Sequence, residues 1–197
     1  GAAVVAIGNA DTASITFAGV EFTTSGAQTF TADAYSITGA DSTFGSSNDN
    51  ITFADGGADG GITLADIADL TITTELGGSG GGNIAVNVPI AGTSGDGDDA
   101  TDVTMTAGSG TITIEDISTD INDVLLTSTG GISLDGSITT AVDSDETGAT
   151  SGVVTLTGPV TLAGNTTIDT DSTSNNGAVS FTSTVDGFKT LTITSGS

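Results

Sequence analysis

Along most of this chain apolar residues alternate with small polar ones, in short runs separated by turn-forming residues. The runs are Ile15-Thr16-Phe17, Ile51-Thr52-Phe53, Ile62-Thr63-Leu64, Leu70-Thr71-Ile72, Ile84-Ala85-Val86-Asn87-Val88, Val103-Thr104-Met105, Ile112-Thr113-Ile114, Val154-Thr155-Leu156, Val179-Ser180-Phe181 and Leu191-Thr192-Ile193. A period of two, carried by β-branched residues, marks half-buried strands. Gly, Ser, Asn and Asp lie between the runs, the residues that turns select. Helical periodicity is nearly absent, and its best stretch, 64–70, allows one or two turns. The pattern predicts an all-β chain built of many short strands.

The strands also repeat a template: a Gly, two alternating apolar residues, a polar spacer, then another apolar residue. Gly82 leads Ile84, Val86 and Ile90; Gly131 leads Ile132, Leu134 and Ile138; Gly152 leads Val154, Leu156 and Val160; Gly177 leads Val179, Phe181 and Val185. A looser duplication sets Ile62-Thr63-Leu64-Ala65-Asp66-Ile67 beside Ile112-Thr113-Ile114-Glu115-Asp116-Ile117. Units recurring every 20 to 30 residues or so point to a repeat architecture, because one short strand pair cannot bury its apolar face but stacked coils about 4.8 Å apart can. The expectation is a parallel β-helix (β-solenoid) with irregular rungs, one unit spanning 1–197 and taken as right-handed, although the repeats fix neither hand nor strand direction. Insertions at 92–102 and 143–151 should bulge outward as loops. Alternation alone would also suit a β-sandwich that polymerises by donating a terminal strand, 1–7 or 191–194.

Gly152-Val153-Val154-Thr155-Leu156-Thr157-Gly158-Pro159-Val160 and Gly177-Ala178-Val179-Ser180-Phe181-Thr182-Ser183-Thr184-Val185-Asp186-Gly187, followed by Leu191-Thr192-Ile193-Thr194, resemble repeats of very large secreted bacterial proteins of the filamentous-haemagglutinin-like type. The likeness is clearest from Gly152 onward. It implies secretion, a β-solenoid, and a role in surface fibres, adhesion or matrix. That family's N-terminal secretion domain is not visible in this sequence.

Composition narrows the chemistry. The 197 residues carry one cation, Lys189, against 25 carboxylates, a formal charge of -24, with no His, Cys or Trp. General bases near neutral pH, activated nucleophiles and phosphate clamps therefore lack their usual residues. Nucleic acid is excluded as a partner, since phosphate contacts need Lys and Arg. Membrane insertion is not expected, because no apolar run approaches a spanning length of about 20 residues. A glycoside hydrolase could run on carboxylates alone, but a sugar site lacks aromatic platforms here, with one Tyr and seven mostly core-patterned Phe. The expected function is not enzymatic.

Two acidic groups, Asp96, Asp98, Asp99 and Asp102 and then Asp143, Asp145 and Glu146, are candidate ligands for structural calcium, which prefers oxygen-rich flexible loops. Neither group matches an EF-hand or a calcium β-roll spacing, and a solvated acidic surface is the simpler account. Thr-x-Thr alternation at Thr111 and Thr113 or at Thr190, Thr192 and Thr194 suggests an ice-binding face, although irregular rungs should break a flat lattice match.

The ends supply the functional expectation. The chain opens Gly1-Ala2-Ala3 without Met, as a piece of something larger does. Leu191-Thr192-Ile193-Thr194 starts a unit whose second half resembles the segment 1–7, and no polar capping repeat is evident. Uncapped stacks are adhesive edges, and joining them head to tail gives an open filament. Val4, Val5, Ile7, Leu191 and Ile193 are the expected polymer interface. The sequence thus predicts a structural unit of an extracellular fibre, either one of covalent tandem repeats in a giant protein or a separate subunit, whose partners are copies of itself; the alternative is an adhesin segment that binds a glycan or a cell surface.

Overall fold

The computed structural model describes residues 4–58, 60–78, 80–93, 101–118, 120–140, 152–171 and 176–195. Among them, 23 strands coil through three parallel sheets. Sheet A takes Val5–Gly8, Gln28–Ala32, Ile51–Asp55, Ile84–Asn87, Ile112–Ile114, Ile132–Leu134, Val160–Leu162 and Val185–Asp186. Sheet B takes Ile15–Ala18, Tyr35–Thr38, Ile62–Leu64, Ile90–Gly92, Ile117–Ser118, Ile138–Thr139, Thr166–Asp169 and Leu191–Thr194. Sheet C takes Glu21–Thr24, Ser42–Ser46, Leu70–Thr73, Val103–Gly108, Val124–Ser128, Val154–Thr157 and Val179–Phe181.

The chain visits A, B and C in turn, so seven coils are complete among the described residues and an eighth has strands in A and B only. This is a parallel β-helix, and every pairing between strands is parallel. The β-sandwich alternative is overturned: a sandwich needs antiparallel sheets, and among the described residues antiparallel pairing appears only at the isolated bridge between Ser47 and Glu75. No helix forms at 64–70. That segment leaves sheet B through a turn closed by the Ala68 N–H on the Ala65 carbonyl, with Ile67 at φ 66°.

Alternation builds the core directly. Inward positions stack coil upon coil: Ile51, Ile84, Ile112 and Ile132 lie in one column of sheet A, and Ile72, Met105, Leu126 and Leu156 in one of sheet C. All eight are buried. Inward Ser and Thr close the corners, as Thr74, Thr140 and Thr170 do by donating to the carbonyls of Gly82, Gly152 and Gly177 at 2.8, 2.9 and 2.8 Å. Each hydroxyl satisfies a carbonyl that would otherwise be buried unpaired.

Irregularity of length is concentrated at corners, with one bulge inside sheet C between Thr106 and Gly108. The stretches from sheet B to sheet C vary most, from 19–20 in the first coil to 93–102 and 140–153 in later ones. Both expected insertions leave from this edge, and beyond them Val103–Gly108 and Val154–Thr157 pair again with the neighbouring coils, with one register shift between Thr106 and Gly108. Outward Thr columns on sheet C illustrate this: Thr71 pairs with Thr104, and Thr73 with Thr106, Thr127 and Thr157 in succession. These Thr columns continue across coils whose corners differ in length. The repeated template falls on different faces, starting sheet A at Gly82 and Gly131 but sheet C at Gly152 and Gly177.

Candidate polymer interface

Inside the stack each strand bonds to a coil above and a coil below, whereas an end strand leaves one set of N–H and C=O groups unbonded within the sheet. At the head, Val5–Gly8, Ile15–Ala18 and Glu21–Thr24 pair only with the second coil. At the tail, Val179–Phe181, Val185–Asp186 and Leu191–Thr194 pair only with the coil beneath. Both ends therefore offer parallel edges with the polarity needed to extend the helix.

Side chains repeat the message. In the column that runs through buried Ile51, Ile84 and Ile112, the tail residue Val185 is 39 % exposed. In the column through buried Ile138 and Ile168, the tail residue Ile193 is 47 % exposed. At the head Val5, Ile7, Ile15 and Phe22 are half-buried and Val4 is exposed. These are core positions whose next layer is open.

The structure places all five expected interface residues in end coils. Val4, Val5 and Ile7 lie at the head in or beside sheet A; Leu191 and Ile193 lie at the tail in sheet B. They do not lie on one face, and Val5–Gly8 is not the strand that follows Leu191–Thr194 in coil order, since that position belongs to sheet C. Two matches of the ends continue the coils: face by face, or turned by one face so that Val5–Gly8 of a second copy takes the open sheet C position after Leu191–Thr194. Sequence reasoning missed Ile15, Phe22, Phe181 and Val185 as members of the end layers. Their signal was register position, which no single run of residues carries.

The acidic edge has its own order. Where sheet B turns into sheet C, the Asp41 carboxylate accepts the Asp69 N–H at 3.4 Å, Asp69 accepts that of Asp102 at 2.8 Å, Asp102 that of Asp123 at 2.9 Å, and Asp123 that of Val153 at 2.8 Å. Burial pushes the Asp69 carboxyl above the usual carboxylate range; the Asp102 N–H opposes this, and the Asp102 and Asp41 charges add to it. Asparagine does the same work neutrally where sheet C turns into sheet A: Asn50 Oδ1 accepts the Asn83 N–H at 2.8 Å, and Asn83 Oδ1 that of Thr111 at 2.9 Å.

Of the calcium candidates only Asp102 lies within the described residues, and it serves this ladder. Asp96, Asp98, Asp99, Asp143, Asp145 and Glu146 lie outside them. Among the described residues no three acidic groups gather as a metal site, and no helix is long and apolar enough to cross a membrane. No protein-family model matches the chain, and no curated protein or solved structure is significantly similar to it.

Proposed function

We propose that this chain is a structural element of an extracellular fibre, stacking end to end on copies of itself. The observation that carries the reading is the pair of open end coils: unpaired parallel edges around a partly exposed apolar interior, on a helix whose ladders are otherwise continuous. Burying those edges and columns under another coil is the favourable step, worth about 25 cal/mol per Å² of apolar surface removed from water. The charge of -24 supports the same reading, because like-charged sides repel and direct growth along the axis. The resemblance to secreted repeat proteins agrees with a place outside the cell.

The test is assembly of the purified chain. Electron microscopy and sedimentation at rising concentration should show unbranched filaments about one coil-stack wide, with a fibre repeat near 4.8 Å along the axis. Dispersed monomers at every concentration would overturn the proposal. Added salt or divalent cations should bundle the filaments sideways by screening their flanks.

A further inference from the structure

The one cation of the chain sits where it can decide which way copies join; this inference rests on the stacking proposed above. Lys189 lies exposed in the turn between Val185–Asp186 and Leu191–Thr194, in the last coil. The column that starts at Val5 passes through Ile51 and Ile112 and ends at Val185; the column that starts at Ile15 passes through Ile62 and Ile117 and ends at Ile193. Extending each by one coil sets Val5 of a second copy on Val185, and its Ile15 on Ile193, aliphatic on aliphatic.

Lys189 follows Val185 by four positions and precedes Ile193 by four. The residue four after Val5 is Asn9, and the residue four before Ile15 is Asp11. Lys189 therefore falls over the corner at 9–11 of the next copy. That corner is a fixed turn: Asn9 Oδ1 accepts the Asp11 N–H at 2.8 Å, the Asn9 carbonyl accepts the Thr12 N–H at 2.9 Å, and the Asn9 N–H donates to Thr12 Oγ1 at 3.0 Å. The Asn9 amide oxygen is thus engaged, and the exposed Asp11 carboxylate is the charge the corner presents.

The geometry points to an ion pair between Lys189 and Asp11 of a second copy that sets the head-to-tail polarity of the joint. Head to head, the corners would oppose carboxylate to carboxylate; tail to tail, ammonium to ammonium. Charge complementarity of this kind selects orientation and speeds encounter more than it adds affinity. Among the described residues sheet C is one strand shorter than its neighbours, so this register leaves a gap one strand wide at each joint. Turning each copy by one face would close that gap, and would bring the turn before Glu21 over Lys189 instead.

Charge reversal and cross-linking test this. Lys189→Glu should lower filament growth about tenfold at low salt, since a like-charge contact replaces an attraction, and adding Asp11→Lys to the same chain should restore it. Both positions are exposed turns, so unfolding curves should match the parent. The chain has no cysteine, so mixing Asp11→Cys and Lys189→Cys chains under oxidation should give disulfides between positions 11 and 189. Equal growth of the parent and Lys189→Glu overturns the ion pair while stacking stands. Disulfides joining 11 to 11 or 189 to 189 overturn the polarity, and preferential linking of 189 to a Glu21→Cys chain overturns the face-to-face register. A parent that never assembles overturns the stacking and this joint together.

Discussion

The first three coils and the last two share one backbone plan and hold different interiors. Phe17, Phe22, Phe30, Phe44, Phe53 and Tyr35 interlock at the head, with ring centroids 4.8 Å apart for the stacked Phe30 and Phe53 and 4.9 Å for the edge-on Phe17 and Phe44. Coil 7 buries Val160 and Ile168, but the last strand of each face offers Val179, Phe181, Val185, Leu191 and Ile193, none fully buried, while Phe188 stands free in solvent. Aromatic rings are long enough to span the narrow core, so Phe17 is only 7 % exposed although its coil has no neighbour on one side. Short aliphatic side chains cover only their own level. An end layer is thus protected by side-chain reach as well as by stacking, and the head is a firmer template than the tail.

Truncation at each end is the most forceful way to break this contrast. Phe30→Ala should destabilise the chain by about 3–5 kcal/mol, whereas Ile193→Ala should cost under about 1 kcal/mol, because a residue 47 % exposed has little packing to lose. Equal shifts in chemical denaturation would refute the difference between the ends. Tyr35 belongs to the same block, its hydroxyl accepting the Ala32 N–H at 3.0 Å and lying 2.6 Å from the Ala54 carbonyl. Burial raises its hydroxyl above the usual range, which keeps it a donor.

A smaller effect sharpens the border of the aromatic block. Ile67 holds φ 66° at the third position of its turn and is 49 % exposed, so a β-branched residue occupies a conformation that suits glycine. Ile67→Gly should raise stability by about 1 kcal/mol by thermal melting; a loss instead would show that its side chain contributes more than its backbone strain.

The smallest expected change concerns pH. Asp69 is raised mainly by burial, so the folded chain binds this proton more tightly than the unfolded chain. Its contribution is favourable below the carboxylate range and is lost as pH rises through the folded value. Asp69→Asn keeps the Oδ1 acceptor for the Asp102 N–H while removing the charge. It should flatten the melting temperature as a function of pH between about 4 and 7, with a slightly higher value at neutrality. An unchanged profile would mean that the ladder tolerates its charges without strain.

The fold was largely legible because its signal is local. Nine of the ten alternating runs lie wholly in strands and the tenth lies in one except for Val88, since a period of two reports one buried face wherever it occurs. Strands such as Glu21–Thr24 and Ser42–Ser46 escaped notice because polar residues take inward positions, Thr24 in the first and Ser42 and Ser46 in the second, and break the apolar rhythm while hydrogen-bonding locally. The duplication of Ile67 with Ile117 shows the limit: Ile117 is fully buried in sheet B, and Ile67 is an exposed turn residue. Similar residues do different work when the corner after the strand differs in length. The end layers were half legible, because the apolar ends are visible in the chain while the places of Val185 and Ile15 in their columns depend on register across the whole helix.

The concentration of irregular length at corners also makes the molecule a ruler. Axial distance is counted in coils at about 4.8 Å each, so the eight levels of sheet A correspond to about 38 Å however many residues the corners hold. Residues added to the edge between sheets B and C lengthen the contour of the chain and leave its span untouched. Size in sequence and size in space are set independently, by different parts of the same coil.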